Sequence, residues 1–459
     1  MENDKLNSSD VKQSLKLNKE NTTKSLKSEI STINRDNKIS CSDINMKSHN
    51  QSIDLIQKND ENTEAYQISV FNDGMHNDNI NKTNSKNNKK NSKGYLLEYR
   101  IKRLLFLMGY FPKTGVLIKT SLDELSDDIT DLDVYGVYMH KNFASKTIWA
   151  DCKSGSAKSL ERISWLIGVK NIVDIDDVIF VKKGVRYDTR QFARRAGIQV
   201  LDLEIINKLE NDFGIDPNDW RGSWNPESQR DRLLTFQRIN VPSNDYYKKI
   251  GSFIKCGYWQ LDNYTKVKKT VTALKQLAKF EQVPLPKEQN ESIRWAIYEL
   301  VNLFVLALLN ICKEVYYFSD KDKSDTLFDG LISGEISAKK RADIVKATYK
   351  LAYSMFKSEN PEFSGHSEVP QIGLNPPSYF EALNDLILRI TNNPLAYFDI
   401  LRFLDFILME FDLQSKDVDS EMLIQLFPNY DSLIISAKTI MHFICKITGL
   451  SRELFNIIR

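Results

Sequence analysis

"LDVYGVYMHKNFASKTIWADCK", residues 132–153, decides the fold of this chain. Two β-rich runs, "LDVYGVY" and "KTIWADC", flank the polar stretch "HKNFAS", a pattern that predicts an antiparallel hairpin turning near Asn142. In such a hairpin, residues whose numbers sum to about 284 lie opposite each other, so Asp133 falls beside Asp151. Side chains alternate along a strand, so Ile148, Ala150 and Cys152 face one way while Trp149, Asp151 and Lys153 face the other. Two carboxylates and an amine therefore share one face. A register slip of two would bring Asp131 into the place of Asp133.

Upstream, "YLLEYRIKRLLFLMGY" repeats apolar residues at Leu97, Ile101, Leu104, Leu105 and Met108, the spacing of an amphipathic helix, with Gly109 placed to end it. "TGVLIKT" precedes the hairpin as a further strand, and "DDVIFVK" and "GIQVL" follow it as two more. Helical stretches, "KSLERISWLIGV" and "DTRQFARRA", separate the last three strands. The order helix, three strands, helix, strand, helix, strand predicts an α/β domain around a mixed sheet over residues 94–205.

Outside that domain the composition changes. Residues 1–93 are rich in Asn, Lys, Ser and Asp and too poor in apolar side chains to repay the entropy of ordering, so they read as a disordered low-complexity tail. Residues 206–227, with Gly, Pro, Asn and Trp at loop density, read as a connector. Residues 228–459 carry long helical runs and read as an all-α domain. The longest uncharged apolar run there, Leu300 to Cys312, is shorter than the roughly 20 residues of a spanning helix, so no membrane partner is expected.

Lys and Arg number 63 against 61 Asp and Glu, so bulk charge favours no class of partner, and any affinity for nucleic acid must come from local patches. Cys41, Cys152, Cys256, Cys312 and Cys445 are scattered and never in a C-x-x-C spacing, which argues against a disulfide framework or a thiolate zinc site. The opening segment is polar throughout and offers no secretory signal, so a reducing compartment, the cytoplasm, is expected. His49, His76, His140, His366 and His442 are dispersed and give no histidine metal site.

Opposed carboxylates repel unless a cation neutralises them, and oxygen-only ligands suit Mg²⁺ or Mn²⁺. A lysine two residues on can offset charge building on a phosphate, so the trio of Asp133, Asp151 and Lys153 points to phosphodiester hydrolysis. These residues resemble the PD-(D/E)XK, or restriction-endonuclease-like, nuclease superfamily: Asp133 of "TDLDVYG", the D-x-K of "WADCKSG", and Glu98 on the helix before the sheet, where many members carry an active-site acid. Leu132 stands where the motif has proline. The resemblance implies a restriction-endonuclease-like core, catalysis by Glu98, Asp133, Asp151 and Lys153, metal ligation by the three acids, and nucleic acid, DNA before RNA, as substrate. It leaves the helical half to hold a partner protein or a second copy of the chain.

Each residue also has a plainer reading. Asp151 and Lys153 alone would be a solvated strand-end pair, and Asp131 and Asp133 turn acids. Glu98 alone would sit on a polar helix face with Arg100 and Lys102. Ser154 and Lys158 follow the lysine closely enough to touch a phosphate, with Ser154 equally suited to capping a helix. Arg186, Arg190 and Arg194, and on another helix Lys268, Lys275 and Lys279, form basic faces that would suit a phosphate backbone or simply solvent. Among other functions, an inactive nucleic-acid-binding or scaffold subunit would keep the strands without needing all four polar residues. A nucleotidyltransferase is disfavoured because "SLDELSDDIT", ahead of the acids, contains no glycine to cradle phosphates.

Overall fold

The computed structural model describes residues 88–121, 126–155, 158–239, 245–280, 285–333, 338–362 and 375–458. The expected tail lies outside the described residues as far as 87, as does Cys41. Helix α1 (Asn88–Leu107) already begins at Asn88.

Five strands follow α1: β1 (Phe111–Lys119), β2 (Asp128–Met139), β3 (Ser145–Lys153), β4 (Asp177–Lys182) and β5 (Ile198–Leu201). They form one open mixed sheet in sequence order. β1, β2 and β3 are an antiparallel meander, whereas β3, β4 and β5 run parallel, because α2 (Ser159–Ile172) and α3 (Tyr187–Arg195) provide the crossovers that parallel pairing needs. The hairpin register is the one the turn predicts: Val134 pairs with Ala150 and Met139 with Ser145.

The alternation in β3 divides the sheet into two apolar layers. Ile148, Ala150 and Cys152 pack with Leu97, Ile101, Leu104 and Leu105 of α1. Trp149 packs on the other side with Ile163, Leu166 and Val169 of α2. Met108, expected on the apolar face of α1, is 37% exposed because the helix has ended by then. Gly109 makes the turn into β1 with φ of 96°, and a Cβ there would come 3.0 Å from the Tyr138 ring.

Helix α4 (Leu203–Asp212) follows β5 and anchors α1: Glu210 accepts from Arg100 and Arg103, the latter at 2.9 Å. Beyond it the ordered turn Gly222–Trp224 buries Trp224 against Phe106, ring centroids 4.6 Å apart. Among the helices that follow are α5 (Arg232–Gln237), α6 (Tyr246–Lys255), α7 (Asn263–Phe280), the long α8 (Lys287–Val315) and, nearer the end of the chain, α9 (Ile400–Ile407). α8 is long and apolar enough to cross a membrane, but 94% of its apolar window is buried within the protein, which accounts for its composition. Its buried face shares a core with Phe106, Phe111, Val137 and Phe143 of the α/β part.

Candidate active site

The β2–β3 ladder stops at Val134 and Ala150, and the next residues show why. Asp133 turns its carboxylate into the gap, where Oδ2 accepts from the Cys152 backbone N–H at 2.7 Å, so a side chain takes the place of a ladder bond. The same oxygen lies 3.0 Å from Lys153 Nζ, which also lies 3.1 Å from Asp151 Oδ1. Lys153 thus bridges the two aspartates. Burial alone would lower its ammonium, but Asp151 and Asp133 more than offset that and hold it above the ordinary lysine range.

Asp151 is fully buried and held from the other side. Arg162 of α2 grips it in a two-pronged pair, Nε to Oδ2 at 3.0 Å and Nη2 to Oδ1 at 2.5 Å, while its guanidinium stacks 3.7 Å from the Trp165 ring centroid. The plain alternative of a solvated strand-end pair does not describe a carboxylate with no exposed surface. Sequence reading passed over Arg162. Its only local signal is its position one helical turn before Trp165.

Glu98 arrives from α1, on the opposite layer, and meets the group at the end of the sheet. Burial, then the charges of Asp133 and Asp131, push its carboxyl up to about 8. Asp133 is also raised, by burial first, despite Lys153 beside it. The polar face that would make Glu98 ordinary is reduced to the partly exposed Arg100: Lys102, also expected there, is 1% exposed and donates to the Ser223 carbonyl at 2.5 Å.

Glu98, Asp131, Asp133 and Ser154 line one side of a cavity of about 560 Å³. Ser154 does not cap α2, whose N-cap is Lys158, and Lys158 pairs with Glu161 at 2.8 Å in the open. The other wall belongs to the helices and includes Arg230, Lys255, Trp259 and Glu299. These residues lie too far along the chain for any local pattern to link them to the acids. Of the other basic residues singled out, Arg190 pairs with Asp202 at 3.0 Å and Lys268 donates to the Leu331 carbonyl, while Arg186 and Arg194 remain exposed.

The donor set suits a hard divalent cation in one respect and resists it in another. Three carboxyls, those of Glu98, Asp131 and Asp133, face one cavity with Glu98 forced towards neutrality, a deficit of positive charge that an oxygen-seeking ion would relieve. Asp151, however, does not line the cavity, and among the described residues no three His, Cys, Asp or Glu side chains are drawn together as a preformed metal site. An ion would be held first by Glu98 and Asp133, and Asp151 would join only by loosening Lys153 or Arg162. Compared with models of protein families, with curated proteins and with solved structures, the chain finds no match in any of the three.

Proposed function

We propose that the protein is a metal-dependent nuclease with a restriction-endonuclease-like core, hydrolysing phosphodiester bonds in nucleic acid, DNA before RNA. The observation that carries this reading is the meeting of Glu98 from α1, Asp133 from β2, and Asp151 and Lys153 from β3 at one end of the sheet. Mg²⁺ or Mn²⁺ bound by Glu98 and Asp133 would polarise a phosphate and lower the pKa of water. The chain's own residues supply the rest. Lys153, kept charged by its two aspartates, offers a cation to the charge that grows on a phosphate. Arg162 fixes Asp151, and so the position of Lys153. Glu98 is the group that gives up a proton when a cation enters.

The cytoplasm is the proposed place of action, supported by Cys152, Cys256, Cys312 and Cys445, all buried and none joined in a disulfide. The test is a cleavage panel of linear, circular, single-stranded and branched substrates with and without Mg²⁺, run beside Asp133→Asn. Cutting that needs Mg²⁺ and disappears in the variant supports the reading, and cutting by the variant at the parental rate overturns it. A second reading, a nucleic-acid-binding subunit without catalysis, draws on the engagement of both Asp151 oxygens by Arg162. Binding with no cleavage in any lane would favour it.

A further inference from the structure

The acids do not stand on an open, convex surface. Glu98 and Asp133 recede into the cavity whose far wall is made by the helices, so a nucleotide of an intact duplex would have to leave its stack to place its base inside it. The volume of about 560 Å³ lies inside the range of about 300–1,000 Å³ typical of pockets for compact ligands, which suits a nucleotide unit rather than a helix of two strands.

The lining is graded in a way that matches one nucleotide. At the rim, Arg230 and Lys255 are exposed cations, the type of residue that follows a phosphate backbone. Deeper, the half-buried Trp259 offers a ring beside the apolar side chains of Leu233 and Ile254, a surface on which a base can stack. At the floor is Glu299, 2% exposed. Its Oε2 accepts from Lys113 at 2.7 Å, but Oε1 has no hydrogen-bond partner among the described residues. A buried carboxylate oxygen without a donor is costly, and a base edge carrying an amino or imino N–H would supply one. The cavity thus offers cations at the rim, an aromatic ring within, and at the floor a carboxylate that Lys113 pairs through one oxygen only.

We propose that the substrate is single-stranded nucleic acid, one nucleotide of which enters the cavity with its base towards Glu299 while the adjoining phosphodiester lies at the cavity's edge by Asp133, the partner of Lys153. This rests on the nuclease reading for the last step only, because the pocket would select single strands whether or not the bond is cut.

The test is therefore binding, measured apart from cleavage. The full chain, with Ca²⁺ in place of Mg²⁺ to neutralise the acids, is titrated by fluorescence anisotropy with a fluorescein-labelled oligodeoxynucleotide, its oligoribonucleotide counterpart and a hairpin duplex of the same sequence. We expect at least one single strand to bind about tenfold or more tightly than the duplex and to quench tryptophan fluorescence. Lys255→Glu, a change at an exposed position, should weaken single-strand binding by about tenfold while leaving the melting temperature unchanged. Glu299→Gln, checked by thermal melting, should alter the ranking of homopolymers, since it changes the acceptor offered to the base. Equal affinity for duplex and single strand, or single-strand binding indifferent to Lys255→Glu, overturns the proposal. Single-strand preference without cleavage in Mg²⁺ would leave this inference standing and remove the nuclease reading. Cleavage confined to duplex would do the reverse.

Discussion

At the end of the sheet, Asp133 and Asp151 are paired with Lys153 and Arg162, and Glu98 and Asp131 stand near them with Arg230 as a further cation. Between the sheet and the helices, Glu299 and Asp405 of α9 face two lysines, Lys102 and Lys113, with Lys113 at 2.7 Å from Glu299 and 3.3 Å from Asp405. The second cluster is balanced in charge, two lysines against two carboxyls, although one oxygen of each carboxylate keeps no hydrogen-bond partner among the described residues. The first carries more carboxyls than the two cations paired with them, and both clusters line the same cavity. Buried charge that is paired serves mainly to fix how elements meet, whereas buried charge left in surplus is poised for something from outside.

This contrast can be broken most sharply at Lys153. Lys153→Ala should reduce cleavage by a factor on the order of a hundred or more at saturating Mg²⁺, while calorimetry shows metal affinity held or increased, because a positive charge has left the space between two carboxylates. Parental cleavage by that variant would reduce the lysine to a structural counter-ion. The balanced cluster should answer in stability instead. Lys113→Ala leaves Glu299 and Asp405 buried without their cation and should cost about 3–5 kcal/mol in urea unfolding, as for removal of one partner from a buried pair. A loss well under that would show that the helices reach the sheet without help from these charges.

The surplus itself has a pH signature. Glu98 sits at about 8 against an ordinary 4.5, so the folded protein binds a proton there that the unfolded chain releases. Stability should be fullest below about pH 4.5 in this contribution and decline as pH rises towards 8. Glu98→Gln should flatten that slope and raise the melting temperature at pH 8, and Mg²⁺ at pH 8 should raise it in the parent more than in the variant. An unchanged slope would mean that Glu98 is not the strained acid. The smallest effect belongs to Lys158, paired in the open with Glu161: Lys158→Ala should change neither melting temperature nor cleavage.

The hairpin was legible because strand pairing follows local rules. A turn near Asn142 and a period of two are enough to set Val134 opposite Ala150, and that register carries Asp133 towards Asp151. The α1 face was legible for the same reason, apart from its last turn. Lys102 was not, because a lysine in a helix reads as solvated until a distant element, here the Ser223 turn, covers it. Nor was the cavity's far wall. Lys113 and Glu299 meet across 186 positions of sequence, and no periodicity within either segment encodes the encounter.

Lys153 also bears on the order of events when the chain is made. Many metal sites are gatherings of like charge that assemble only once an ion arrives, so the apoprotein stays unfolded or loose. Here the two aspartates find their first cation in the same polypeptide, two residues along the strand from one of them. The sheet can therefore close during synthesis whatever the supply of magnesium. On the proposed nuclease reading, the cell would then hold a finished but idle protein, with ion concentration setting its activity and not its abundance.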